Sequence, residues 1–83
     1  SCSHTIFAVR HHKKYELLLA LKSVPGILSR EPFGDAIHVS LHPDTTPEQL
    51  VRELEEKGLA GVTVTEIVPG IEDIFLELMK RES

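Results

Sequence analysis

Ile27-Leu28-Ser29-Arg30-Glu31-Pro32-Phe33-Gly34-Asp35-Ala36-Ile37-His38-Val39-Ser40-Leu41-His42 carries two runs of strand-forming residues on either side of a Gly-Asp pair. In the second run Ile37, Val39 and Leu41 alternate with Ala36, His38, Ser40 and His42. A period of two over seven residues places one set on a buried sheet face and the other on a wetter one. Gly34-Asp35 supplies turn chemistry, so 27–33 and 36–42 read as a β-hairpin. Pro32, which has no N–H to give a ladder, keeps the first of these strands at the sheet edge.

The segments on either side of this hairpin have the character of strand and helix in turn. Upstream, Thr5, Ile6, Phe7 and Val9 make His4 to Arg10 a strand, with Phe7 and Val9 on one face and Ile6, Ala8 and Arg10 on the other. Two partly apolar faces suit a central position. His11-His12-Lys13-Lys14 then leads into a helix expected to run to Ser23, with Leu17, Leu18, Leu21 and Val24 as its core stripe. Tyr15 and Leu19 stand one turn apart on another side, and Pro25-Gly26 stops the helix. Downstream, Thr46-Pro47-Glu48-Gln49 has the form of a capping box with proline at the first helical position. The helix that follows turns Leu50, Val51 and Leu54 to the core and stops at Gly58, with Leu59 placed for the apolar contact of a Schellman end. Val62 to Val68 reads as the last strand, Val62 and Val64 facing one way and Thr63 and Thr65 the other.

The order is therefore β-α-β-β-α-β. The expected fold is an α+β, ferredoxin-like sandwich: an antiparallel sheet of four strands in the order 4-1-3-2, with two helices on one face. Residues 4–68 make this core within a single domain spanning 1–83. Beyond Pro69-Gly70, Ile71, Ile74, Phe75 and Leu78 fall at helical spacing, and acids Glu72 and Asp73 open the stretch while Lys80 and Arg81 close it. An amphipathic helix over about 71–82 is expected, with Leu76 and Met79 off its main stripe.

Composition narrows the possible functions. The formal net charge is −4, and the four aromatics Phe7, Tyr15, Phe33 and Phe75 are scattered, so neither a phosphate-neutralising stripe nor a base-stacking platform is present. Nucleic acid is not an expected partner. No apolar run reaches the length that crosses a bilayer. The single cysteine, Cys2, has no internal partner, which suits a reducing compartment. The start, Ser1-Cys2-Ser3, carries no methionine and no signal-peptide pattern, and a piece of a longer polypeptide is expected.

The C-terminal stretch Pro69-Gly70-Ile71-Glu72-Asp73-Ile74-Phe75-Leu76 resembles the end of many ATP-binding subunits of ABC transporters. The likeness continues upstream through Tyr15-Glu16-Leu17-Leu18 with Leu21, Val24-Pro25-Gly26-Ile27, Pro32-Phe33-Gly34-Asp35 and Ile37-His38-Val39, and so covers most of the chain. Gly70 departs from the Ser or Thr that often caps this helix in that family. The resemblance implies a small, non-catalytic accessory domain following an ATPase domain. The parent chain would use ATP and Mg, dimerise with a second ATP-binding subunit and bind membrane permease subunits at the cytoplasmic face. The domain itself would need no cofactor and would act through exposed apolar residues, for which Leu19, Leu76 and Met79 are the candidates.

The residues leave two other readings open, a free-standing small-ligand sensor and a metal-binding module. Of five histidines, His38 and His42 lie four strand positions apart, roughly 13 Å, too far to share an ion. His11 and His12 are adjacent, and adjacent side chains diverge on a regular element. Cys2, His4 and His42 form the one geometrically allowed metal set, because antiparallel first and third strands bring the start of one beside the end of the other. Arg10-His11-His12 occupies the place where acylphosphatases, which share this topology, hold an anion. The chain has no Asn and no Gly-rich cradle there, so catalysis of that kind is not expected. Heavy-metal chaperones of the same fold carry two cysteines in that loop, where this chain has none. No P-loop pattern is present, and Glu72-Asp73 suits a helix dipole better than acid-base catalysis.

Overall fold

In the computed structural model residues 5–68 and 78–80 are described. Alternating and helical patterns resolve into β1 (Ile6–Arg10), α1 (Lys14–Leu21), β2 (Ile27–Phe33), β3 (Ala36–Leu41), α2 (Pro47–Glu56) and β4 (Thr63–Ile67). Residues 78–80 are helical as well. The other residues of the expected 71–82 helix, Leu76 among them, lie outside the described residues. The strands form one antiparallel sheet in the order β2-β3-β1-β4, which read from the other edge is 4-1-3-2. The fold is the ferredoxin-like α+β sandwich.

Register places Phe7 opposite Val39 and Val9 opposite both Ile37 and Val64, so these side chains share one sheet face. Both helices pack there: Val9, Ile37, Val39 and Leu41 from the sheet form one buried cluster with Leu17 and Leu21 of α1 and Leu50 and Leu54 of α2. Fully burying a side chain of this size contributes roughly 1.5–3 kcal/mol. β2 lies at the edge, and Pro32 sits on it opposite Ile37.

The helix ends follow from local chemistry. Thr46 accepts the Gln49 N–H at 3.1 Å while the Gln49 side chain accepts the Thr46 N–H at 2.8 Å, a complete capping box. At the other end of α2, Gly58 N–H bonds to Glu55 O and Leu59 N–H to Leu54 O, both at 3.0 Å. Gly58 has φ +91° and Leu59 is buried, which completes a Schellman motif. α1 ends at Leu21 rather than Ser23. The N–H groups of Lys22, Ser23 and Val24 bond three residues back, to Leu19, Ala20 and Leu21, and this tighter turn ends the α-helix. α1 has no basic residue in its last turn. Arg30 of β2 takes that place, its Nε donating to Leu21 O at 2.8 Å.

Three strand boundaries shift for a shared reason, the extent of pairing. β4 pairs Thr63–Ile67 with Arg10–Ile6 and ends with its partner, leaving Val62 and Val68 outside the ladder. β1 starts at Ile6 for the same reason. His42 leaves β3: its N–H donates to Gly26 O at 2.7 Å, but its ring turns into the next loop, where Nδ1 accepts the Asp44 N–H at 3.1 Å.

The face away from the helices is drier than the alternation in 36–42 implies. Ala36 and Ser40 are buried and His38 is half-buried. Short side chains sink below their cross-strand partners: Ala36 lies opposite Phe33, and Ser40 opposite Ser29, with their hydroxyl oxygens 2.6 Å apart. Ala8, between His38 and Thr65, is buried in the same way. The Phe33 ring stacks on His38 with centroids 4.9 Å apart and remains 69% exposed.

Candidate functional site

The topology gathers polar side chains where β1 hands over to α1. Strand order sets β3 on one side of β1 and β4 on the other, so the Gly34-Asp35 turn and the start of β4 flank Arg10. Arg10 Nε lies 3.3 Å from Asp35 Oδ1, and the Lys14 ammonium donates to Gly34 O. Both members of the Arg10–Asp35 pair are well exposed, and such a pair adds little stability. What it does is orient the guanidinium.

His11 ties this loop to the one between α2 and β4. A carbonyl can only accept, so the contact of His11 Nε2 with Ala60 O at 2.8 Å places the proton on Nε2. Nδ1 in turn accepts the Lys13 N–H at 3.0 Å. With both ring nitrogens engaged, His11 brackets the two loops. The His12 ring does not diverge from its neighbour, contrary to the spacing argument. Residues 11–13 belong to neither strand nor helix, and the bend there stacks the two rings with centroids 4.4 Å apart.

The result is an open cleft of about 470 Å³ lined by Arg10, His11, His12, Lys14, Asp35, Gly61 and Thr63. Its volume falls in the range of small-molecule sites, roughly 300–1,000 Å³. Its chemistry is that of a donor set, with the cationic groups of Arg10 and Lys14, the imidazoles of His11 and His12 and the Thr63 hydroxyl set around one carboxylate, Asp35. Sequence reasoning found Arg10, His11 and His12. It missed Asp35, Lys14, Gly61 and Thr63 as their neighbours, and the 4-1-3-2 order was the signal that could have located them.

Of the metal set, Cys2 and His4 lie outside the described residues. His42 is placed at the β3 exit, with Nδ1 3.7 Å from Asp44 Oδ2. Among the described residues no group of three or more His, Cys, Asp or Glu side chains is positioned to hold a metal ion.

The apolar candidates divide similarly. Leu19 is 46% and Tyr15 72% exposed, one turn apart on the outer side of α1. Met79 is 53% exposed and Leu78 beside it 51%, while Leu76 lies outside the described residues. No helix among the described residues is long and apolar enough to cross a membrane. A second, smaller cleft of about 270 Å³ separates the Pro25-Gly26 turn from the start of α2, and its charged lining residues Asp44, Arg52 and Glu53 are of mixed sign. Comparison with known proteins matches this chain to no family model, no curated protein and no solved structure.

Proposed function

We propose that this chain is the C-terminal regulatory or interaction domain of the ATP-binding subunit of an ABC transporter. An ATPase domain precedes it in the parent chain and hydrolyses ATP with Mg to drive transport. The domain performs no chemistry of its own. Its partners are that ATPase domain, a second ATP-binding subunit and the permease subunits, and it works at the cytoplasmic face of the membrane.

The observation that carries this reading is the motif Pro69-Gly70-Ile71-Glu72-Asp73-Ile74-Phe75-Leu76, which directly follows the last strand of a ferredoxin-like domain. The exposed apolar pair Tyr15 and Leu19 supports it, since a contact surface needs side chains that remain uncovered in the domain by itself. The decisive test is the parent reading frame: a Walker A motif and an ABC signature are expected in the roughly two hundred residues before Ser1, a single-domain length. A frame that opens near Ser1 overturns the proposal, and so does turnover of acyl phosphates by the purified chain. In the intact subunit, Leu19→Asp is expected to weaken co-purification with the partner subunits while leaving the domain folded.

A further inference from the structure

We propose that the cleft at the end of β1 binds a phosphate monoester or inorganic phosphate, held by Arg10, His12, Lys14 and Thr63. Charge distribution is the first argument. The chain is net −4, yet residues 1–15 contain Arg10, Lys13 and Lys14 and no acid; the first acid is Glu16. The fold turns this imbalance into a local field, because only Asp35 among the cleft residues is acidic. A cleft lined mostly by one sign of charge concentrates the opposite ion.

The second argument is a local conflict. α1 opens with Lys13 and Lys14 at the positive end of the helix dipole, where cations are disfavoured; Lys13 is offset by first-turn Glu16, 4.0 Å from its ammonium, whereas Lys14 meets only the Gly34 carbonyl. No side chain caps its first-turn amides. Sequence choices that oppose local preference mark functional positions. A dianion bound in the cleft reverses the sign of that conflict at Lys14, the helix-terminal lysine that lines it.

The third is the availability of donors. Asp35 takes Arg10 Nε and leaves the terminal guanidinium nitrogens. Lys14 gives one proton to Gly34 O and keeps two. His12 is stacked on His11 but makes no hydrogen bond among the described residues, and Gly61 leaves open space on the opposite wall. This inference is independent of the transporter reading, since it concerns only side chains of this domain.

The test is a titration of the ¹⁵N-labelled 83-residue chain with inorganic phosphate, against sodium chloride at matched ionic strength, read by amide chemical shifts. Saturating shifts are expected at His12, Lys14, Tyr15 and Gly61. Lys14→Gln and His12→Ala should each weaken binding by about tenfold, the loss of one charge-assisted hydrogen bond. Lys22→Gln, at the far end of α1, should leave the affinity unchanged. Dispersed spectra establish that each variant is folded. Shifts that stay linear with concentration, or equal weakening by Lys14→Gln and Lys22→Gln, overturn the assignment.

Discussion

Replacing Gly26 by alanine tests how the α1–β2 turn is held against the loop before α2. Gly26 has φ +83°, and a Cβ built there would lie 2.1 Å from Thr45 Oγ1, 3.0 Å from Thr45 Cβ and 3.1 Å from Thr45 Cγ2. Two costs follow. Left-handed backbone costs an alanine about 1–2 kcal/mol, and overpacking against Thr45 adds about 1–3 kcal/mol. Rotating the Thr45 hydroxyl away does not relieve the second cost, because its Cβ and Cγ2 remain in reach. The turn cannot simply recede either, since Gly26 O accepts the His42 N–H at 2.7 Å. Gly58→Ala is the reference: its φ is +91°, and nothing lies within 4 Å of an added Cβ, so it bears the backbone cost alone.

Thermal unfolding by circular dichroism should therefore place the Tm of Gly26→Ala below that of Gly58→Ala by at least about 4 °C, given roughly 4–8 °C per kcal/mol for a domain of this size. A double-mutant cycle isolates the clash. Measured relative to Thr45→Gly, Gly26→Ala should cost about 1–3 kcal/mol less than it does beside Thr45. Equal losses for Gly26→Ala and Gly58→Ala, with no coupling to Thr45, would refute the steric argument and leave only backbone strain.

Thr46→Ala removes the side-chain half of the α2 capping box and should cost about 1 kcal/mol in chemical denaturation. Leu54→Ala empties part of the fully buried cluster between α2 and the sheet; a loss of about 2–5 kcal/mol is expected, large against the total stability of a small domain. Arg30→Ala removes the shorter of the two hydrogen bonds to Leu21 O, leaving the Val24 N–H at 3.3 Å, and should destabilise by about 1 kcal/mol, with faster amide exchange in the last turn of α1 as the local signature. Leu19→Asp, on a position 46% exposed, should change stability by no more than about 0.5 kcal/mol, which separates a contact role from a folding role.

Local chemistry was readable wherever it acts within a few residues. The Thr46–Gln49 box, the Gly58–Leu59 stop and the two runs flanking Gly34-Asp35 each follow from short-range rules, and the structure reproduces them, the second run ending at Leu41 rather than His42. Most of the core stripes were readable for the same reason, since periods of 2 and about 3.6 are properties of the chain itself, but Leu18 is only half-buried and Val51 stands outside the buried cluster. The ends of β1 and β4 were not, because a strand lasts only as long as its partner, and the partner is distant in sequence. The burial of Ala36 and Ser40 also escaped the pattern, as it depends on which side chains stand across the ladder.

The cleft shows the same division. From the amino-acid order alone came the acid-free opening fifteen residues and the basic run Arg10 to Lys14. Only tertiary structure could set Asp35, Gly61 and Thr63 around that run, fix the His11 tautomer through Ala60 and stack His12 on its neighbour. The physical reason is range: charge and helix propensity are written residue by residue, whereas a site is made by elements up to about fifty positions apart that meet only when the sheet assembles.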